Sequence, residues 1–398
     1  MSQTKPVVLH VVSDFPDHLG QDSTRAVANL LESSRKDVTS HRIVSFHRLK
    51  KLRWTLDDSN PELIRLQFFS PPKGILSNLM LLLMSFWLFF RLRHTPIDLI
   101  HAHKLTTDGP LGYFLSLWLS CPLVISVRGD TDSRFVHYKP FSHWLFRRIL
   151  EKASHVFWVS GWARKPLLQR LMSNQRAESI LAKSSLLPNI VKINPVSHAV
   201  VAECSETPRF LFVGKLGQAE KKGLWRVLQA LSDMDDACLD VYGKGTDAEV
   251  AALTQQVALR GLENRVFYRG TVSQQALSAQ MPGYTALVMP SRDETFGMVY
   301  VEALLNGLPA IGCQNSGIDG YLNDSRQYMV SVNIDEPTEL VEAMVMIARQ
   351  HSRLVAELSE DIQQGALDIF NTDCIAAHYR TVLSSLHLGE SLQDSIGL

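Results

Sequence analysis

The chain has 398 residues, 45% of them apolar and 20% charged, with 40 Lys and Arg set against 40 Asp and Glu. That length supports two domains with full cores, and that composition excludes a disordered, collagenous or disulfide-stapled chain. The even charge balance supplies no global field for nucleic acid or for an anionic membrane, and no nucleic-acid partner is expected.

Short apolar runs alternate with helical patterns along the whole chain, which predicts parallel sheets covered on both faces. The N-terminus, MSQTKPVVLHVV, enters a strand pattern directly, without a signal-peptide pattern, so a cytoplasmic location is expected. In the first half strands are expected at residues 7–12, 42–46, 63–68, 99–102, 123–127 and 156–160, with helices at 23–34 and 162–172 among those between them. The first strand runs into Phe15-Pro16-Asp17-His18-Leu19-Gly20-Gln21, a loop with a single glycine. From Gly74 to Phe90 there are seventeen residues without a charge, flanked by Lys73 and by Arg91, Arg93 and His94. Three readings of this run stand side by side. It is a buried helix of a large domain, a helix lying in a membrane interface with Trp87 and the basic flank as anchors, or a short transmembrane span interrupting the α/β alternation.

His101-Ala102-His103 follows a strand, and strand alternation sends both imidazoles to one face. No third ligand is evident beside them, so no metal site is expected. Ser126-Val127-Arg128-Gly129-Asp130 ends the next strand, and Asp130-Thr131-Asp132 reads as D-x-D. Residues 183–208, with Pro188, Pro195 and Pro208, are the expected connection between domains.

The second half restarts the alternation. Strands are expected at 210–213, 238–242, 266–268, 286–289, 310–312 and 328–332, and helices at 224–231, 247–259, 274–281, 298–306 and 338–350, followed by a helical tail over 352–386. Lys215 at a strand end and Lys222 before a helix start stand seven apart and supply compact positive charge at the mouth of the sheet. Val241-Tyr242-Gly243-Lys244-Gly245 is a strand followed by a glycine-rich turn. Five cysteines, Cys121, Cys204, Cys238, Cys313 and Cys374, are free of C-x-x-C spacing and are expected as buried thiols of a reducing compartment.

The most informative segment is Pro290 to Pro309, PSRDETFGMVYVEALLNGLP. Glu294 and Glu302 flank Phe296-Gly297, and Gly297 is expected to open a helix that Gly307-Leu308-Pro309 ends. Such a start offers backbone N–H groups and a positive dipole end to a diphosphate.

This string, P-S-x-x-E-x-F-G-x-x-x-x-E-A-x-x-x-G-x-P, resembles the Glu-x7-Glu signature of the family 4 retaining glycosyltransferases (glycosyl transferases group 1). The resemblance covers nearly the whole chain, strongly over 210–312 and loosely over 1–190. It implies an α/β protein of the GT-B fold, with two Rossmann-like doubly wound domains facing across a cleft. The implied division is an acceptor-binding domain at 1–190, a nucleotide-sugar-binding domain at 205–375 and a C-terminal helix at 376–398 crossing back to the first.

The implied donor is a UDP- or GDP-sugar, with no cofactor or metal required, and the implied acceptor is a glycan or lipid-linked glycan of cell-surface polysaccharide assembly. Lys215, Lys222, Gly297, Met298 and Val299 would hold the diphosphate, with Phe296 beside them. Glu302 would bind ribose hydroxyls and Glu294 would act near the reacting sugar carbon. Gly243 and Gly245 would lie by the base, together with the FYRG turn ending at Gly270. Gly20 would remain from a phosphate loop that usually has two glycines. His103 would stand on the acceptor side. Arg128 would replace a histidine beside the donor sugar, and the D-x-D triplet, the mark of a different fold, would carry no metal. Gln314 to Gly320 matches the loop after the Glu-x7-Glu helix without transferring a role, and Pro188-Asn189-Ile190 resembles a P-N-G linker motif. Leu76 to Phe90 could dock the first domain on the inner face of the membrane. Two rivals share the resemblance, a nucleotide-sugar epimerase and a catalytically silent partner subunit.

Overall fold

The computed structural model describes residues 6–13, 15–16, 24–35, 40–49, 53–60, 62–69, 75–193, 207–322 and 325–394. Gly20, Lys73 and Cys204 lie outside the described residues. The chain divides into two compact units, Met1–Ile190 with Phe370–Leu398, and Val191–Ile369. Residues 370–375, placed by the sequence reading in the second domain, belong with the first unit.

The first unit is built on an eight-stranded sheet: β1 (Val7–Val12), β2 (Ser40–Leu49), β3 (Trp54–Asn60), β4 (Leu63–Phe69), β5 (Leu99–Ala102), β6 (Leu123–Val127), β7 (His155–Trp158) and β8 (Ser184–Leu186). The order is β3-β4-β2-β1-β5-β6-β7-β8, and only β3 runs antiparallel to its neighbour. Strands such as VVLHVV and LVISV read as near-continuous apolar runs because helices cover both faces of a parallel sheet. Those helices are α1 (Ala26–Ser34), α2 (Ile75–Leu92), α3 (Gly109–Trp118), α4 (Gly129–Tyr138), α5 (His143–Lys152), α6 (Arg164–Leu171) and α7 (Asn174–Ala182). The edge strands β3 and β8 have no apolar run and escape sequence reading. β3 is polar and half-exposed, and it is held by pairs such as Asp57–Arg65 at 2.8 Å.

The charge-free run forms α2, an 18-residue helix whose inner face is part of the main core. Among the described residues no helix is long and apolar enough to cross a membrane. Its polarity is inverted: Ser77 and Ser85 are buried, while Leu76, Leu79, Leu83, Phe86 and Phe90 are exposed. Trp87, the anchor of the membrane-interface reading alone, packs half-buried against the core and edge-on to Trp54.

The second unit has a six-stranded, wholly parallel sheet: β9 (Arg209–Val213), β10 (Cys238–Tyr242), β11 (Val266–Gly270), β12 (Ala286–Val288), β13 (Ala310–Cys313) and β14 (Met329–Val332), in the order β11-β10-β9-β12-β13-β14. This is the doubly wound order in which a sheet grows from its centre to one side and then to the other. Its helices are α8 (Ala219–Lys222), α9 (Leu224–Ser232), α10 (Asp247–Ala258), α11 (Gln274–Gln280), α12 (Met298–Leu305) and α13 (Pro337–Gln363). α13 runs 27 residues, continuous where the sequence suggested two pieces. The last helix, α14 (Thr372–Asp394), returns to the first unit, where Ile375, Tyr379 and Leu383 pack on Val8, Leu99 and Phe157. Of the cysteines, Cys121 and Cys313 are buried as expected, while Cys374 is exposed and Cys238 intermediate; all four are free thiols.

Candidate active site

In the second unit the strand order reverses between β9 and β12, and the loops at the carboxyl ends of such strands are where α/β sheets take ligands. Three loops are stitched together there. After β9 comes Gly214, then the exposed Lys215, and α8 ends at Lys222. The lysine stem lies along the Gly214 backbone, since a Cβ built on Gly214 would stand 3.5 Å from Lys222 Cγ. After β12 the Arg292 N–H donates to Lys221 O at 2.9 Å. Lys222 Nζ forms an ion pair with Glu294 Oε2, the two side chains being 18% and 19% exposed. After β13, Ser316 Oγ accepts from Glu294 N–H at 2.9 Å and donates to Ser291 O at 2.7 Å, while Gly317 N–H donates to Glu294 O at 2.9 Å. Glu294 is thus fixed through its backbone and turns its carboxylate to the lysine. Asp293 at φ +53° and Asn315 at φ +55° flank it. Left-handed backbone at such residues costs roughly 1–3 kcal/mol each and collects at working sites.

Gly297, at φ +70°, is the N-cap of α12. A Cβ there would lie 2.4 Å from the Tyr300 ring and 3.1 Å from Glu294 Cγ, so both conformation and space require glycine. Tyr300 cannot yield: it is 1% exposed and its hydroxyl donates to Met289 O. Met298 and Val299, half-exposed, form the first turn, whose N–H groups the helix itself cannot satisfy. Glu302 follows one turn on and accepts from Gln274 Nε2 at 2.8 Å. Burial pushes its carboxyl above the ordinary 4.5, opposed by the Gln274 hydrogen bond. The combination of two lysines, a helix start and an inward carboxylate suits a doubly charged anion with hydroxyls attached.

Residues 207–350 match the family model described as glycosyl transferases group 1, and residues 23–180 match that of the glycosyl transferase 4-like domain. The chain belongs to the group 1 glycosyltransferases. It is 25% identical over 304 residues, 71% of this chain and 76% of the other, to a 2-deoxystreptamine N-acetyl-D-glucosaminyltransferase of Niallia circulans. Its fold matches a sucrose-phosphate synthase from Thermosynechococcus elongatus with TM-score 0.70 at 17% identity, covering 97% of this chain and 100% of that one. It also matches HepE of Anabaena, solved with UDP and glucose, with TM-score 0.63 at 18% identity, covering 96% and 100%. The fold is GT-B, with two parallel-sheet α/β units.

The first unit of the transferase places His101 and His103 together on one face, ring centroids 3.9 Å apart. Arg128 is 8% exposed, and its guanidinium donates from Nε to His103 O and from Nη1 to Asn189 Oδ1, each at 3.0 Å. Its role within the unit is to pin the loop after β5 to the connecting segment. Asp132 of the D-x-D triplet is buried and accepts four hydrogen bonds, from the N–H groups of Leu105, Thr106 and Arg128 and from the Thr106 hydroxyl, at 2.7–3.1 Å. Burial pushes its carboxyl up and these four donors oppose it. It ties the loops after β5 and β6 together as a structural staple.

Gly243 and Phe296 both have a structural use within the second unit. Gly243 lies where a Cβ would stand 1.8 Å from Gly214 O, so its bare backbone serves the close approach of two loops. Phe296 is 1% exposed and packs edge-on to Tyr321 with centroids 5.7 Å apart, so its side chain anchors the loop from below.

Sequence reasoning missed Ser316 and Gln274, which hold the two glutamates and belong to no motif. It also found no third imidazole beside His101 and His103. The fold supplies His10 from β1, with His10 Nδ1 3.0 Å from His103 Nε2. A histidine in the middle of VVLHVV was the available signal, because a strand buried on both faces needs a partner for that ring.

Proposed function

We propose that this transferase moves a sugar, with retention, from a UDP- or GDP-sugar to a glycan or lipid-linked acceptor. The ion pair of Lys222 and Glu294, knitted to the Gly297 start of α12, carries the reading. In it the diphosphate lies against Lys215, Lys222 and the first-turn amides of α12, Glu302 takes the ribose hydroxyls, and Glu294 stands by the reacting carbon. The bond from the anomeric carbon to the phosphate oxygen breaks with its electron pair going to the phosphate. The acceptor oxygen forms the new bond from the same face, and its proton passes to the departing phosphate. Lysines and helix dipole meet the developing charge, so no metal is required. His103 of the first unit serves the acceptor.

The acceptor class rests on α2. Five large apolar side chains, Leu76, Leu79, Leu83, Phe86 and Phe90, are exposed at spacings of three and four while serines are buried behind them. Asn78 Nδ2 donates to Ser142 Oγ at 3.1 Å, which brings the exposed Phe141 and Trp144 beside the stripe. Trp144, Arg147, Arg148 and Arg176 line a basic recess with Glu151. An apolar stripe with a basic rim suits an anionic bilayer, and we assign the enzyme to the cytoplasmic face of a membrane in cell-surface polysaccharide assembly. The test of the donor is a panel of UDP-, GDP- and ADP-sugars read by thermal shift. Stabilisation by one nucleotide class is expected, and none from any would overturn the reading.

A further inference from the structure

The two glutamates around the start of α12 meet different partners. Glu294 is paired with the Lys222 ammonium, whereas Glu302 Oε1 accepts from a neutral amide, Gln274 Nε2, at 2.8 Å. Among the described residues that amide is the one partner of the Glu302 carboxylate. A carboxylate taken partly out of water ordinarily holds a cation or several N–H groups. It has about four lone-pair positions, so roughly three are left here for other donors. Glu302 is half-buried and Gln274 exposed, so both side chains are within reach of a solute.

Both are also held in place. Gln274 is the first residue of α11, past the carboxyl end of β11, on the side of the sheet where Lys222 and Glu294 stand. Gly243 N–H donates to Gly270 O and Tyr268 Oη donates to Gly243 O, each at 2.8 Å, which fixes the end of β11 to the loop after β10. Ser273 Oγ accepts from the Ala276 N–H at 3.2 Å and caps α11. Asn306 Nδ2 donates to Glu302 O at 2.7 Å and reaches Met281 Sδ, just past α11, at 3.8 Å.

The chemistry of the pair is selective. An ionised carboxylate has no hydrogen to give, so the amide turns its nitrogen to Glu302 and keeps its oxygen and its second N–H for another group. Acceptor oxygens and one donor then stand side by side with no positive charge among them. That set suits two neighbouring hydroxyls, each giving one hydrogen and accepting at its oxygen, and it repels phosphate.

We propose that Gln274 reads the ribose together with Glu302, and that the pair restricts the donor to ribonucleoside diphosphate sugars, excluding 2′-deoxy donors such as thymidine diphosphate sugars. This rests on the donor reading above, in which Glu302 alone takes the ribose hydroxyls. The competing account makes Gln274 purely structural, its N–H serving only a carboxyl that burial pushes above its ordinary range.

The test is calorimetric titration of the full chain with UDP and GDP, each beside its 2′-deoxy and 3′-deoxy forms. The parent is expected to bind each deoxy form about 10–100-fold more weakly than the ribonucleotide, the size of one hydrogen bond to a charged group. Gln274→Met keeps the length of the side chain and removes the amide. At an unchanged thermal midpoint it is expected to weaken the ribonucleotide about ten-fold and to narrow the gap to at least one deoxy form by the same factor, since that form has already lost the bond. Its acid limit of binding is expected at higher pH, because the ionised carboxyl loses a donor. Equal weakening of ribo- and deoxynucleotides by Gln274→Met, or an acid limit that stays in place, reduces Gln274 to a structural role and overturns the proposal. A parent that binds both forms alike overturns it too. Binding of neither UDP nor GDP by the parent overturns the donor reading itself, and the proposal with it.

Discussion

Replacing Gly297 by alanine separates two costs that the structure prices independently. The first is conformational: φ +70° in a residue with a Cβ costs roughly 1–2 kcal/mol. The second is steric, since the new Cβ would lie 2.4 Å from the Tyr300 ring, far inside contact distance. Tyr300 is 1% exposed and bonded to Met289 O, so the overlap must move the loop or the ring, at about 1–3 kcal/mol. Together these give roughly 2–5 kcal/mol, or a fall of roughly 4–20 °C in the midpoint of a unit of this size. Gly307→Ala is the control. Gly307 has φ +77° with nothing within 4 Å of a built Cβ, so it carries the first cost alone. Scanning calorimetry of both variants is expected to show Gly297→Ala clearly lower. Midpoints within about 1 °C of each other would refute the claim that Tyr300 enforces glycine at the start of α12.

Glu302→Gln tests burial of the second glutamate. A folded-state value raised above the ordinary 4.5 means the carboxyl's contribution is present below that value and lost as pH rises through the higher one, so the variant should match the parent in acid and exceed it in stability toward neutral pH, while donor KM rises. An unchanged stability difference across that range, read by denaturant titration, would contradict it. Asp132→Ala removes the acceptor of four buried hydrogen bonds and should cost about 3–5 kcal/mol in chemical denaturation of the first unit, whereas a loss under about 1 kcal/mol would show that the loops hold without it. Phe86→Glu with Phe90→Glu should abolish co-sedimentation with anionic vesicles while circular dichroism stays unchanged; retention on the vesicles would remove α2 from the membrane account.

Much of this architecture could be read from the chain because its central strands are buried on both faces. Runs such as FLFV in β9 and LVISV in β6 have no other soluble use, and their boundaries were legible to within a residue or two. The edges were not: β3, WTLDDSN, spends half its side chains on solvent and carries no apolar signal. The Glu-x7-Glu string located the second unit's site because its constraints are local, a glycine at a helix start and two carboxylates around it. The histidine cluster was illegible for the opposite reason. His41 and His103 lie 31 and 93 positions from His10, and only strand order brings them together. The apolar run of α2 showed its length and composition in sequence, but which side of Trp87 faced outward depended on Trp54 from an unforeseen strand.

In the proposed function the loops bearing Lys222 and Glu294 bind and activate a nucleotide-diphosphate sugar. This is tested most directly by measuring release of free nucleoside diphosphate from the nucleotide sugar that stabilises the protein, with the parent chain, Glu294→Ala and Lys222→Met at matched folding. Release by the parent is expected, with a fall of about 10²–10³-fold in each variant, the usual effect of removing a group that meets transition-state charge. Conversion of the nucleotide sugar to an isomer with the diphosphate intact, or parent-like release by both variants, would contradict it.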